Sequence, residues 1–240
     1  MRIGMAVLIG IVAVGLVLGG CASSGGSGGT AAPAAGTSAA PAAPAAPAKL
    51  AGPFAPDAES FIRNWLVIGP FPNPGGRPQG EADAVPKCKG FDEDFLKGEA
   101  AYIAEAGKAV ALAGGKSLAW KAHKSDSDMI DFLAINELQM GDGENIVAYA
   151  FCWVEVDQDV DAQVRVGSDD GYKLWIGGQL VKAVHEHRSA EQDQETHKVK
   201  LAKGKHPLLM KVDTDWGQFT FYLRILGADG KKVAGLKVWN

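Results

Sequence analysis

Ile146-Val147-Ala148-Tyr149-Ala150-Phe151-Cys152-Trp153-Val154-Glu155-Val156 decides the fold class of this chain. Two interleaved sets run through it: Ile146, Ala148, Ala150, Cys152, Val154 and Val156 alternate with Val147, Tyr149, Phe151, Trp153 and Glu155. Successive side chains of an extended chain point to opposite faces, so this is one long strand with small residues on one face. Residues 163–166 repeat the alternation. Asp170-Gly171 then reads as a hairpin turn, because a tight primed turn needs positive φ, which Asp tolerates and Gly adopts freely. Residues 172–176 are the return strand, Gly177-Gly178 a second such turn, and residues 179–184 a third strand. Further strands are expected at 196–201, 206–212, 219–226 and 237–239.

Upstream the signals are weaker. Residues 62–68 form a strand that stops at the Pro/Gly-rich loop 69–76, and residues 91–106 fit a short helix. Residues 117–121 and 129–135 read as extended, with a helical turn as the alternative for the second. Many short strands separated by turn signals, without alternating helices, indicate an all-β sandwich.

The ends carry a different message. Residues 1–20 hold a lone basic residue, Arg2, an apolar run over 3–17 and then Leu18-Gly19-Gly20 before Cys21, the layout of a secretory signal. An apolar run of about fifteen residues falls short of the roughly twenty that a spanning helix needs. Leu18-Gly19-Gly20-Cys21 resembles the lipobox of bacterial lipoproteins. That resemblance implies that Cys21 is the first mature residue and carries diacylglyceryl on sulfur and a further acyl chain, such as palmitate, on its amine. Several acyl chains exceed the marginal hold of one. Ala22 in place of an aspartate implies, by the enterobacterial sorting pattern, an anchor in the outer membrane of the cell envelope rather than the inner.

Residues 21–56 are a lipidated cysteine followed by a linker of almost nothing but Ala, Pro, Gly, Ser and Thr, which cannot bury a core and reads as a disordered tether. Residues 57–240 remain as one folding unit, large enough for a sizeable core. The formal net charge is −4, with the basic residues scattered, which excludes the basic footprint of a nucleic-acid partner. Cys88 and Cys152 are left in an oxidising compartment as an even number that could pair; the alternative is Cys152 as a small buried apolar residue.

Asn64-Trp65-Leu66-Val67-Ile68-Gly69-Pro70-Phe71, Ala148-Tyr149-Ala150, the stretch Arg165-Val166-Gly167-Ser168-Asp169-Asp170-Gly171-Tyr172-Lys173-Leu174-Trp175-Ile176, and Leu208-Leu209-Met210-Lys211-Val212 occur in this order. Together they resemble the galactose-binding-like jelly-roll modules found in envelope proteins of planctomycetes and related bacteria. Gly167-Ser168-Asp169-Asp170-Gly171 is also similar to the PA14 lectin-like domains. The resemblance implies a jelly-roll β-sandwich over most of residues 62–226. In PA14 lectins, paired aspartates at the positions of Asp169 and Asp170 help hold a calcium ion that grips sugar hydroxyls. Oxygen ligands suit that ion. In galactose-binding-like relatives the same segment serves as a turn, where Asp bonds its own backbone.

Sugars stack their apolar face on an aromatic ring while their hydroxyls pair with polar side chains, which makes Trp153, Trp175 and Trp216 candidates. Trp216 stands out because it lies in the polar loop 213–217, whereas Trp175 sits in a core-like strand. Arg188 and Asp193 flank a polar loop and can bind hydroxyls or each other. His185-Glu186-His187 places both imidazoles on one face of an extended chain, a spacing that can chelate a transition metal, although two ligands do not make a site and solvated strand-end histidines are the alternative. No nucleophile elbow, phosphate loop, zinc-protease helix or carboxylate dyad is present in the sequence. The expected function is a non-catalytic, membrane-anchored module that binds polysaccharide, the alternative being a structural or protein-interaction module of the envelope.

Overall fold

The computed structural model describes residues 46, 47, 49–76 and 88–240. The expected signal segment, the acylated Cys21 and most of the expected linker lie outside the described residues. Thirteen strands are found among the described residues. They are β1 (Asn64–Pro72), β2 (Ala109–Ala111), β3 (Ser117–Ala119), β4 (Lys121–Lys124), β5 (Met129–Asp131), β6 (Ile146–Val156), β7 (Val160–Asp169), β8 (Tyr172–Ile176), β9 (Gln179–Val184), β10 (Glu195–Leu201), β11 (Gly204–Thr214), β12 (Thr220–Gly227) and β13 (Lys237–Trp239). The larger sheet runs β4-β1-β6-β11-β8-β9, with β13 also pairing β6; the smaller runs β10-β7-β12-β5. The fold is an all-β sandwich.

The two residue sets of β6 explain its layers. Ala148, Ala150, Cys152, Val154 and Val156 point between the sheets, against Val164 and Val166 of β7 and Phe221, Leu223 and Ile225 of β12. Small residues on the larger sheet let the two sheets approach, and the bulky phenylalanines of the other fill the gap. Val147, Tyr149, Phe151 and Trp153 form the opposite face. They are covered by Leu96, Ala104, Val110 and Trp120 from the segment before β5, so this strand is buried on both sides. Each fully buried large side chain contributes about 1.5–3 kcal/mol, which makes β6 and its neighbours the stable centre.

Several expectations change at this level. β7 and β8 do not pair: β7 bonds to β10 and β12, β8 to β11 and β9. Asp169-Asp170-Gly171 is therefore a crossover from one sheet to the other, and Gly171 does not take positive φ; the peptide between Asp169 and Asp170 is cis. Gly177-Gly178, by contrast, is the expected hairpin, with φ of 59° and 82° at its two residues. The first strand runs on past Gly69, because a register shift between Ile68 and Phe71 absorbs the Gly-Pro step and returns Phe71 to β6. Phe71 then stacks on Phe95 at 4.9 Å. The helix expected at 91–106 is reduced to one 3-10 turn at Glu99–Ala101, since this stretch is spent capping the sheet.

Residues 51–54 also belong to the folded unit: Ala51 and Phe54 exchange backbone hydrogen bonds with Asn240 and Val238. Phe54 packs against the inter-sheet core, and its apolar ring ends the tether before residue 57.

Of the two readings of Cys88 and Cys152, the disulfide is not formed: both are free, buried thiols. Cys152 faces the dry space between the sheets, and burial holds its thiol well above the ordinary range. Cys88 sits elsewhere, among polar groups at one end of the sandwich.

Candidate functional site

Four chain segments meet at that end. The end of β1 brings Asn73, the β7–β8 crossover brings Asp169 and Asp170, the segment after β9 brings His185, His187 and Arg188, and the end of β11 brings Asp213, Asp215 and Trp216. Cys88 joins them from the loop before β2. Backbone bonds fix the crossover to β11: Asp170 N donates to the Asp213 carbonyl and Asp213 N to the Gly171 carbonyl, each at 3.0 Å. Gly171 is needed for closeness rather than for φ. A Cβ there would lie 2.5 Å from Asp213 Oδ1 and 2.8 Å from the Val184 carbonyl. Gly90 does the same for the Cys88 loop, where a Cβ would meet Asn73 Oδ1 at 2.7 Å.

Asp170 organises the outer half of the site. Its Oδ1 accepts from the Arg188 backbone N–H at 3.0 Å and its Oδ2 from the Asp215 N–H at 3.2 Å. His187 Nδ1 bridges Asp170 Oδ1 at 2.8 Å and Asp215 Oδ1 at 3.2 Å. The His187 ring lies 5.4 Å from the half-buried indole of Trp216. Burial, reinforced by the hydrogen bond and charge of Asp215, pushes the Asp170 carboxyl up to about 8 against the two N–H donors. Burial and the Asp215 charge push Asp169 up to about 7.

The inner half is deeper. Asn73 is fully buried and donates from Nδ2 to Asp213 Oδ2 at 3.2 Å, while Asn73 Oδ1 and Asp213 Oδ1 are buried without a hydrogen-bond partner among the described residues. His185 Nε2 is also buried without a hydrogen bond, 3.5 Å from Asp213 Oδ2. Phe91 lies flat on the His185 ring, centroids 4.1 Å apart with planes at 4°. Cys88 is 4% exposed; burial first, then the charges of Asp213, Asp215 and Asp170, push its thiol up to about 12. Two donor groups result, Cys88 with His185 and Asp213, and Asp170 with His187 and Asp215, each within 4.8 Å internally. These acidic, thiol and imidazole groups are placed so that they could hold a metal ion.

No family model matches this chain, and no curated protein matches it. Among solved structures, it is similar to the PA14 domain of the antifreeze protein MpAFP, at 18% identity over 38% of this chain and 50% of that one, with a TM-score of 0.32. It is similar to a PA14 sugar-binding domain from an RTX adhesin, at 26% identity over 33% of this chain and 44% of that one, with a TM-score of 0.27. A GH31 α-xylosidase from Xanthomonas citri matches at 16% identity over 52% of this chain and 14% of that one, with a TM-score of 0.30. The chain spans half or less of the length of each.

Of the residues singled out from sequence, Asp170, the Arg188 backbone and Trp216 come together with His187. Asp169 stands beside them, outside both donor groups. Trp175 does not join: it is 7% exposed and packed in the outer cluster with Leu209 and Trp153. The Arg188 guanidinium is spent on Glu195 Oε1 at 2.9 Å and Ser168 Oγ at 2.8 Å, above the Tyr172 ring. Asp193 pairs with Arg165 and Arg224 instead of Arg188.

Cys88, Asn73, Asp213 and Asp215 were not singled out for this site. The signal that could have found two of them is a second i, i+2 pair: Asp213 and Asp215 share a face at the end of β11, as His185 and His187 do after β9. The two pairs meet rung by rung, His185 with Asp213 and His187 with Asp215. These histidines are partly exposed and each lies beside a carboxylate.

Proposed function

We propose that this protein is a non-catalytic, lipid-anchored component of the bacterial cell envelope, held by acylated Cys21 in the outer membrane, whose sandwich binds carbohydrate at the end where Asp170, His187, Asp215 and Trp216 meet. The observation that carries this reading is the half-buried Trp216 indole beside a partly exposed imidazole and carboxylates held by backbone N–H groups. An indole offers the apolar face on which a sugar ring stacks, and His187 and the carboxylates offer partners to its hydroxyls. Asp170 uses both oxygens on main-chain donors, which suits an anchoring role better than proton transfer.

The calcium role implied for Asp169 and Asp170 is not part of this reading. That ion asks for six to eight oxygens, and each donor group here includes an imidazole nitrogen. The interaction-module alternative is served less well. Among the described residues the large apolar side chains left exposed are Leu133 and Leu180, short of a contiguous apolar patch.

A glycan-array screen of the full chain in detergent micelles, with and without calcium, tests the reading. Specific, calcium-independent retention of a glycan class is expected; a silent array at high protein concentration overturns it. Mass spectrometry of the mature N-terminus tests the anchor, with acylated Cys21 as the expected first residue.

A further inference from the structure

We propose that Cys88, His185 and Asp213 form a binding site for a divalent transition-metal ion of zinc type, separate from the carbohydrate contacts and independent of them.

The three donor atoms lie within 4.8 Å of one another, and they are thiol sulfur, imidazole nitrogen and carboxylate oxygen. That mixture matches zinc, which takes cysteine, histidine and aspartate in four-coordinate sites, and does not match calcium or magnesium, which ask for oxygens. Composition alone would not make a site. The second observation is that two buried polar atoms of this group have no hydrogen-bond partner among the described residues. Asp213 is 1% exposed, yet its Oδ1 has no hydrogen-bond partner among the described residues; His185 Nε2 is likewise unbonded. A buried polar atom without a partner costs about 1–3 kcal/mol, a cost that a metal ion held between these side chains would relieve.

The neighbouring group differs in this respect. In Asp170, His187 and Asp215 the imidazole already bridges the two carboxylates at hydrogen-bond distance.

The surroundings support the inner group as a built site. Phe91 clamps the His185 ring by flat stacking, and Asn73 Nδ2 holds Asp213 Oδ2 at 3.2 Å, an outer-shell bond of the kind that orients metal ligands. Gly171 and Gly90 are the two places where the backbone comes close enough to crowd Asp213 and Asn73. Binding exchanges one proton for the metal: the Cys88 thiol loses its hydrogen to solvent as the sulfur–metal bond forms.

The test uses the full chain carrying Cys21→Ser and Cys152→Ala, which leaves Cys88 as its single thiol. Zinc affinity is read by competition with a chromophoric chelator, and cobalt(II) substitution is read for a thiolate-to-cobalt charge-transfer band. Equimolar zinc binding with that band is expected. Cys88→Ser, His185→Gln and Asp213→Asn should each weaken zinc by more than ~100-fold, beyond the range for loss of an outer-shell partner. Cys88→Ser should also abolish the band, and His187→Gln should leave both readings unchanged. Circular dichroism confirms that each variant is folded; if one is not, the remaining two ligand variants and the cobalt band decide. No zinc binding, binding without the thiolate band, or a loss caused by His187→Gln but not by His185→Gln would each overturn the proposal.

Discussion

Asp170 Oδ1 lies 2.8 Å from Nδ1 of His187, although the two residues come from different connections, the crossover between the sheets and the segment that follows β9. The same carboxyl accepts from the Arg188 and Asp215 N–H groups, so one side chain ties three segments of the site together. Asp170→Ala leaves these donors without an acceptor and is expected to cost about 1–3 kcal/mol, with glycan retention lost. Asp170→Asn, which keeps an acceptor oxygen, is expected to cost less. Urea denaturation of the two variants beside the wild type checks the order.

Lys211 offers a test of stability on the outer face of the larger sheet. Its side chain is fully buried in the outer layer, where Nζ donates to Glu99 Oε1 at 2.9 Å and to the Glu93 carbonyl at 2.6 Å. Tyr149 donates to the same Glu99 oxygen at 2.6 Å. Burial holds the Lys211 ammonium below its ordinary range, against the pull of Glu99. Removing one partner leaves an uncompensated buried charge, so Glu99→Leu is expected to destabilise by about 3–5 kcal/mol. Adding Lys211→Met to it should restore most of the loss. Chemical denaturation of both variants measures this, and glycan binding by the double variant should match the wild type.

Asp169 and Asp170 set a pH dependence whose sign follows from burial. Both carboxyls titrate higher in the folded chain, about 7 and about 8, than the 3.8 of a free aspartate. Between about pH 4 and pH 8 the folded state therefore binds more protons than the unfolded one, and stability falls as the pH rises through that window. Their contribution is fully present below about pH 4 and lost above about pH 8. In the presence of a chelator, the melting temperature should decline from about pH 5 to about pH 8, and Asp169→Asn should flatten the decline. A wild-type melting temperature that rises across this range contradicts the assignment.

The strand skeleton was legible because alternation is a local property. The long strand around Ala150 and the Gly177-Gly178 hairpin follow from period-two patterning and from residues that take positive φ. Asp170-Gly171 carries the same local signal as a hairpin, yet the chain there changes sheets. That choice is made by which strands pair over long range, through β7 with β12 and β8 with β11. Trp175 is buried and Trp216 half-buried, as the strand pattern of one and the polar loop of the other imply. Cys88 and Asn73 had no readable role: both lie in loops with no periodic pattern, and long-range packing, with the close approach at Gly90, sets where they sit.

Trp216 is the side chain on which the proposed sugar contact chiefly rests. Calorimetric titration of the wild type and of Trp216→Ala against the strongest glycan from the array measures its part directly. The account predicts saturable binding by the wild type and a loss of at least about tenfold, or 1.4 kcal/mol, in a variant that stays folded. Equal affinity for the two proteins would contradict it and place any glycan away from this end of the sandwich.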